Sequence, residues 1–121
     1  MNNIDLRFLI GLELVSVTFV RDYIQITLDG PSVLGPVLIS IINDLRVADG
    51  PDYFILSSPG FRDVLCSAIN RSVTNVHYSE HVDISITLQG DLVLRIGLSD
   101  DDYKYGPEGI HISMGAQLWI F

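Results

Sequence analysis

Residues 26–34 read ITLDGPSVL, and residues 86–94 read ITLQGDLVL. At a constant offset of 60, Ile24, Ile26, Thr27, Leu28, Gly30, Val33, Leu34 and Leu38 meet Ile84, Ile86, Thr87, Leu88, Gly90, Val93, Leu94 and Leu98, eight identities in fifteen positions. With a one-residue gap the match extends upstream, pairing Val17 and Phe19 with Val76 and Tyr78. Self-similarity of this kind has to be read before any single residue. Two copies do not make a solenoid. They predict one domain, residues 1–121, built from a duplicated three-stranded β-meander over about 12–42 and 73–99.

Each copy carries the period of strands. Val82, Ile84, Ile86 and Leu88 alternate with Asp83, Ser85, Thr87 and Gln89. Successive strand side chains point to opposite faces, so one face is apolar and the other polar. Gln89-Gly90-Asp91 then turns the chain, and Leu92, Leu94, Ile96 and Leu98 continue the apolar face. In the first copy Ile24, Ile26 and Leu28 precede the turn Asp29-Gly30-Pro31, and the nearly all-apolar segment 37–42 suits a central strand.

Between the copies, Phe61, Val64, Leu65, Ala68 and Ile69 fall on one helical stripe. They predict a helix over about 59–71, with Ser58 as N-cap and Pro59 in the first turn. Residues 44–52, DLRVADGPD, read as one long surface loop, and residues 109–121 as a closing hairpin turning at Gly115. The fold class is then α+β: a mostly antiparallel sheet of about eight strands with one helix packed on it.

The chain has fifteen acidic and seven basic residues, a net charge of −8. Nucleic acid and anionic membrane surfaces would repel it, whereas a basic protein would attract it. Cys66 is the sole cysteine, so no intrachain disulfide forms and a reducing, cytoplasmic setting is expected. The apolar stretch 8–20 is interrupted by Glu13, follows no basic cluster and is too short to span a bilayer.

Catalytic and metal chemistry find no pattern. An EF-hand beginning at Asp100 keeps Asp102 at the third position but meets Lys104 at the fifth, Tyr105 at the sixth and His111 at the twelfth. Cys66, His77, His81 and His111 lack zinc-ligand spacing. Cys66 lies one position off the apolar stripe and reads as a small core hydrophobe, and Asp63 one turn earlier disfavours a thiolate. His81 with Asp83 has the spacing of a base and its orienting acid, and Glu80 with Asp83 that of paired carboxylates, but nothing else completes a set. No enzyme, metal or cofactor is expected.

The expected activity is binding. From Val76 onward seven acids face Arg95 and Lys104, and they concentrate in residues 98–110, LSDDDYKYGPEGI. Tyrosines among aspartates make an amphipathic, acceptor-rich surface suited to a partner's arginine and lysine. The expected contacts are Asp100, Asp101, Asp102, Tyr103, Tyr105 and Glu108, with Glu80 and Asp83 in reserve. Trp119 reads as a core anchor of the last strand.

The duplicated strand–glycine turn–strand pattern, the Tyr-Gly-Pro-Glu of residues 105–108 and the terminal Leu-Trp-Ile-Phe together resemble small bacterial proteins of polymorphic toxin systems. Among these are the immunity-type proteins of contact-dependent growth inhibition. The resemblance implies a cytoplasmic, non-enzymatic inhibitor that binds one toxin domain tightly. Two other readings stay open: a small-ligand-binding or homodimeric structural domain, with a pocket between sheet and helix, and a small hydrolase using His81 or His111 with carboxylates.

Overall fold

A computed structural model describes residues 4–121, and the apolar–polar alternation emerges in it as ten strands. β1 (Glu13–Val20), β2 (Tyr23–Asp29) and β3 (Val37–Ile41) form the first meander; β6 (Val73–Ser79), β7 (Asp83–Leu88) and β8 (Leu92–Gly97) form the second. A hairpin follows each, β4 (Leu45–Asp49) with β5 (Asp52–Phe54) and β9 (Ile110–Met114) with β10 (Gln117–Ile120). α1 (Phe61–Cys66) stands between the halves. The class is α+β, but the strands divide between two antiparallel sheets, β1-β2-β3-β9-β10 and β5-β4-β8-β7-β6.

Each hairpin changes sheets. β4, which follows the first meander, pairs with β8; β9, which follows the second, pairs with β3. Neither sheet is complete without strands from the other half. The first of these hairpins corrects the expected long loop over residues 44–52. Leu45 and Val47 are buried, with Arg46 and Ala48 on the other face. Five residues were too few for that alternation to stand out. The two hairpin turns match as well: Gly50 has φ 59° and Gly115 φ 58°, as the first residue of a two-residue II′ turn requires.

The match between halves extends beyond the strands. β1 and β6 carry a register shift at the same point, after Leu14 and after Val73. Leu9 N–H donates to the Leu6 carbonyl and Ile10 N–H to Arg7; in the second half Ala68 donates to Leu65 and Ile69 to Cys66. Gly11 (φ 91°) and Asn70 (φ 77°) then take the same reversed conformation. The segment entering β1 is thus built like the one entering β6. The offset of 60 does not survive the first glycine turn, however. Leu28 pairs with Val37 while Leu88 pairs with Leu92, so Val33 and Leu34 lie in a longer loop and are not counterparts of Val93 and Leu94. Leu34 is 109% exposed and Leu94 is 0% exposed.

The helical stripe is real but the helix is shorter than 59–71. Phe61 and Leu65 are buried on α1, and Ala68 is buried in the turns after it. The chain must reverse at Asn70 to enter β6, which ends the helix early. Gly60, with φ 83°, precedes α1 in place of a side-chain cap, and the Ser58 hydroxyl instead accepts the Ile55 N–H at 3.0 Å. α1 packs against β4 and β1. The buried side chains of both sheets and α1 form one continuous core, including Leu14, Ile26, Ile39, Phe61, Ile86 and Leu94. Each such side chain contributes about 1.5–3 kcal/mol when buried. Trp119 is half-buried against this core and stacks on Phe8 at 5.1 Å.

The two sheet changes meet at Asn43. The backbone N–H groups of Ile42 and Asn43 both donate to the Gly109 carbonyl, at 2.8 and 2.9 Å. Asn43 Nδ2 donates to the Gly97 carbonyl at 2.9 Å. A methyl group at Gly109 would overlap the Asn43 amide, so the crossing needs glycine there.

Candidate binding surface

The three adjacent aspartates do not act alike. Asp100–Asp102 form one 3₁₀ turn. Asp102 turns inward: its side chain is 12% exposed and faces Arg46 at 3.4 Å. Its carboxylate accepts the Ser99 N–H at 3.0 Å and the Ser99 hydroxyl at 2.7 Å. Gly97 makes room for it, because a methyl group there would overlap the carboxylate. Asp100 and Asp101 remain exposed. Three like charges in a row are tolerated because one is capped, paired and withdrawn from the surface.

The tyrosines divide in the same way. Tyr103 is half-buried against the core. Burial, with smaller contributions from Tyr78, Asp102 and Asp100, pushes its hydroxyl above the ordinary tyrosine value. Tyr105 is 65% exposed. Between them Lys104 reaches Asp44 at 2.9 Å. Glu108 contacts His111 Nε2 at 2.7 Å, and Asp83 is held by Arg95 at 3.1 Å. Glu80, on the turn between β6 and β7, is exposed beside His81. The Leu98 N–H donates to the Val82 carbonyl at 2.8 Å, so that turn adjoins the start of the acidic segment. Of the eight expected contacts, Asp100, Asp101 and Glu80 form an exposed acidic end of the second sheet. Tyr105 lies apart, across the crossing near Asp44.

The second sheet has another acidic end. Asp49 pairs in register with Leu92 and with Asp52, which places the turn bearing Asp91 next to the β4–β5 turn. Asp49, Asp52 and Asp91 thus gather at the opposite end of the second sheet from Asp100. They are some forty residues apart in sequence (Asp52 to Asp91), so no local signal joins them. Among the described residues, four carboxylates are paired to arginine or lysine: Asp5, Asp44, Asp83 and Asp102. Arg71 is committed to the main-chain carbonyls of Ser67 and Gln89.

The His81–Asp83 pair does not come together: His81 sits in the turn with φ 60°, and Asp83 is committed to Arg95. Cys66 is exposed, contrary to its expected place in the core, because one step off the stripe points it to solvent. Among the described residues no three His, Cys, Asp or Glu side chains gather as metal ligands. No helix among them is long and apolar enough to cross a membrane.

A groove of about 590 Å³ opens where the first sheet meets the start of β4 and the approach to α1. Phe19, Tyr23, Leu56 and Tyr105 line it together with Arg21, Asp22, Asp44 and Arg62. A second depression, about 450 Å³, is lined by Gly11, Glu13, Asp29 and their neighbours, with neither a cation nor an aromatic ring. Comparison with known proteins returns no matching family model, no matching curated protein and no matching solved structure.

Proposed function

We propose that this protein is an immunity-type inhibitor that binds a basic toxin domain through the acidic surface of its second sheet, without catalysis of its own. The observation that supports the reading is how charge is spent. Five of the seven bases are engaged within the fold, whereas Asp100, Asp101, Asp49, Asp52 and Asp91 make no ion pair with arginine or lysine among the described residues. These unpaired carboxylates make the field at both ends of the second sheet acidic. Such a field steers a cationic cleft toward encounter at rates on the order of 10⁸ M⁻¹s⁻¹ and can occupy a site meant for a phosphate backbone. Asp100, Asp101 and Glu80 are the first contacts; Asp102 and Tyr103 hold the segment in shape behind them.

Co-expression with the product of the neighbouring gene tests the reading directly: that product should be a toxin domain, and growth should be protected against it. The D100N/D101N/E80Q variant should associate with that domain more slowly and with a flatter salt dependence, leaving thermal stability intact. Unchanged association in this variant would remove the surface from the proposal; absence of protection and of binding by the wild type would remove the function.

A further inference from the structure

The halves differ at one place in a way that leaves a site. In the second half Tyr78 packs edge-on against Phe121, with ring centroids 5.1 Å apart, and Tyr103 joins the same apolar cluster. The strand register puts Phe19 where Tyr78 stands: Phe19 pairs with Ile24, and Tyr78 with Ile84. Yet the β8–β9 connection runs over residues 98–109 and the β3–β4 connection over 42–44 only. The short connection has no aromatic side chain to lay over Phe19, which stays 38% exposed on the wall of the 590 Å³ groove. That volume lies within the range of about 300–1,000 Å³ usual for small-molecule sites.

The rim has changed sign as well. Arg21 opens the β1–β2 turn where Glu80 opens the β6–β7 turn. Arg21 and Arg62 are the two bases that make no ion pair or hydrogen bond among the described residues, and both line this groove. The Arg62 guanidinium sits 5.4 Å from the centre of the Phe19 ring. Of the two carboxylates on the rim, Asp44 is held by Lys104, which leaves Asp22 against two arginines. Asn43, 3% exposed, also lines the groove.

We propose that this groove binds a small organic anion with an aromatic or apolar body, its charge on Arg21 and Arg62 and its body against Phe19, Leu56 and Tyr105. The site is separate from the acidic surface, and the ligand carries the opposite charge from the partner proposed for that surface. Fluorescence titration with two probes of similar shape tests it: 1-anilinonaphthalene-8-sulfonate, an anion, and N-phenyl-1-naphthylamine, its neutral relative. The wild type should bind the sulfonate more tightly, and R21Q/R62Q should weaken it by about tenfold while changing the neutral probe by less than about twofold. Both side chains are exposed, so the variant keeps its fold, which circular dichroism checks. Sulfonate binding that is unaffected by R21Q/R62Q, or equal losses for both probes, would overturn the anion site. Amide shifts in NMR that centre on Trp119 rather than Phe19 would overturn its location.

Discussion

Replacing Asp102 by alanine should destabilise the protein by about 2 kcal/mol, while the same change at Asp100 or Asp101 should cost less than about 0.5 kcal/mol. The difference is worked from the contacts. Asp102 satisfies the Ser99 N–H and hydroxyl at the start of the 3₁₀ turn and faces Arg46, and its side chain is only 12% exposed. A lost cap costs about 0.5–2 kcal/mol and an unpaired, partly buried donor about 1–3 kcal/mol, contributions that overlap rather than add. The Arg46 pair contributes less, because the Arg46 side chain is 36% exposed and the distance is 3.4 Å. Equilibrium urea denaturation of the three single variants measures this, and at roughly 4 °C per kcal/mol the melting temperature of D102A should fall by about 8 °C. D102N should recover part of the loss, since its amide oxygen can still accept from Ser99. Equal small effects at all three aspartates would refute the reasoning, as would a D102A midpoint that matches the wild type.

Gly97→Ala should cost about 1–3 kcal/mol, and much less in a D102A background, because the side chain it overlaps is then gone; a double-mutant cycle reads the coupling. Leu94→Ala should cost about 2–5 kcal/mol and Leu34→Ala less than about 0.5 kcal/mol, although the sequence aligns the two residues; chemical denaturation separates them. Burial raises the Tyr103 and Tyr78 hydroxyls above 10.0. The unfolded chain therefore ionises first. Stability contributed by these hydroxyls is whole below pH about 10 and falls as pH rises through the folded-state values, and Y103F should lessen that fall in melting curves taken across the alkaline range. Cys66 should react with a thiol reagent such as 5,5′-dithiobis(2-nitrobenzoate) in the folded protein, without denaturant, because it is exposed; slow reaction limited by unfolding would contradict its placement.

What the sequence disclosed followed from the number of residues behind each signal. β7 alternates over six residues, and its strand character was plain. β4 alternates over five with alanine on its outer face, and next to Asp44 and Gly50 it passed for a loop. The stripe of α1 identified its buried side chains, Phe61 and Leu65, but not its end, which the reversal at Asn70 dictates. The repeat placed β2 and β7 correctly and then misled, because Val33 and Leu34 match Val93 and Leu94 in letter while occupying a loop. At the acidic segment, three identical residues gave no means of choosing among them. The choice is made by Gly97, whose missing side chain opens a seat for one carboxylate, and by Arg46, which arrives from the other half.

The hairpin exchange explains why the two halves carry different surfaces on one scaffold. Because β4 joins the second sheet and β9 the first, both connections pass the crossing at Asn43, and each covers the end of a meander. Lengthening one connection from residues 42–44 to residues 98–109 supplies Tyr103 to fill its end and sets Asp100 and Asp101 outside it. Leaving the other short exposes Phe19, and Arg21 and Arg62 line the groove beside it, neither making an ion pair among the described residues. The difference in loop length, with arginine in place of glutamate at the β1–β2 turn and Arg62 on α1, thus separates an acidic end on one sheet from a cationic, aromatic groove on the other. The sequence shows the length difference directly. Which ring it covers and which it leaves bare follows only from the strand register, and that register is where the acidic surface and the groove become separable by mutation.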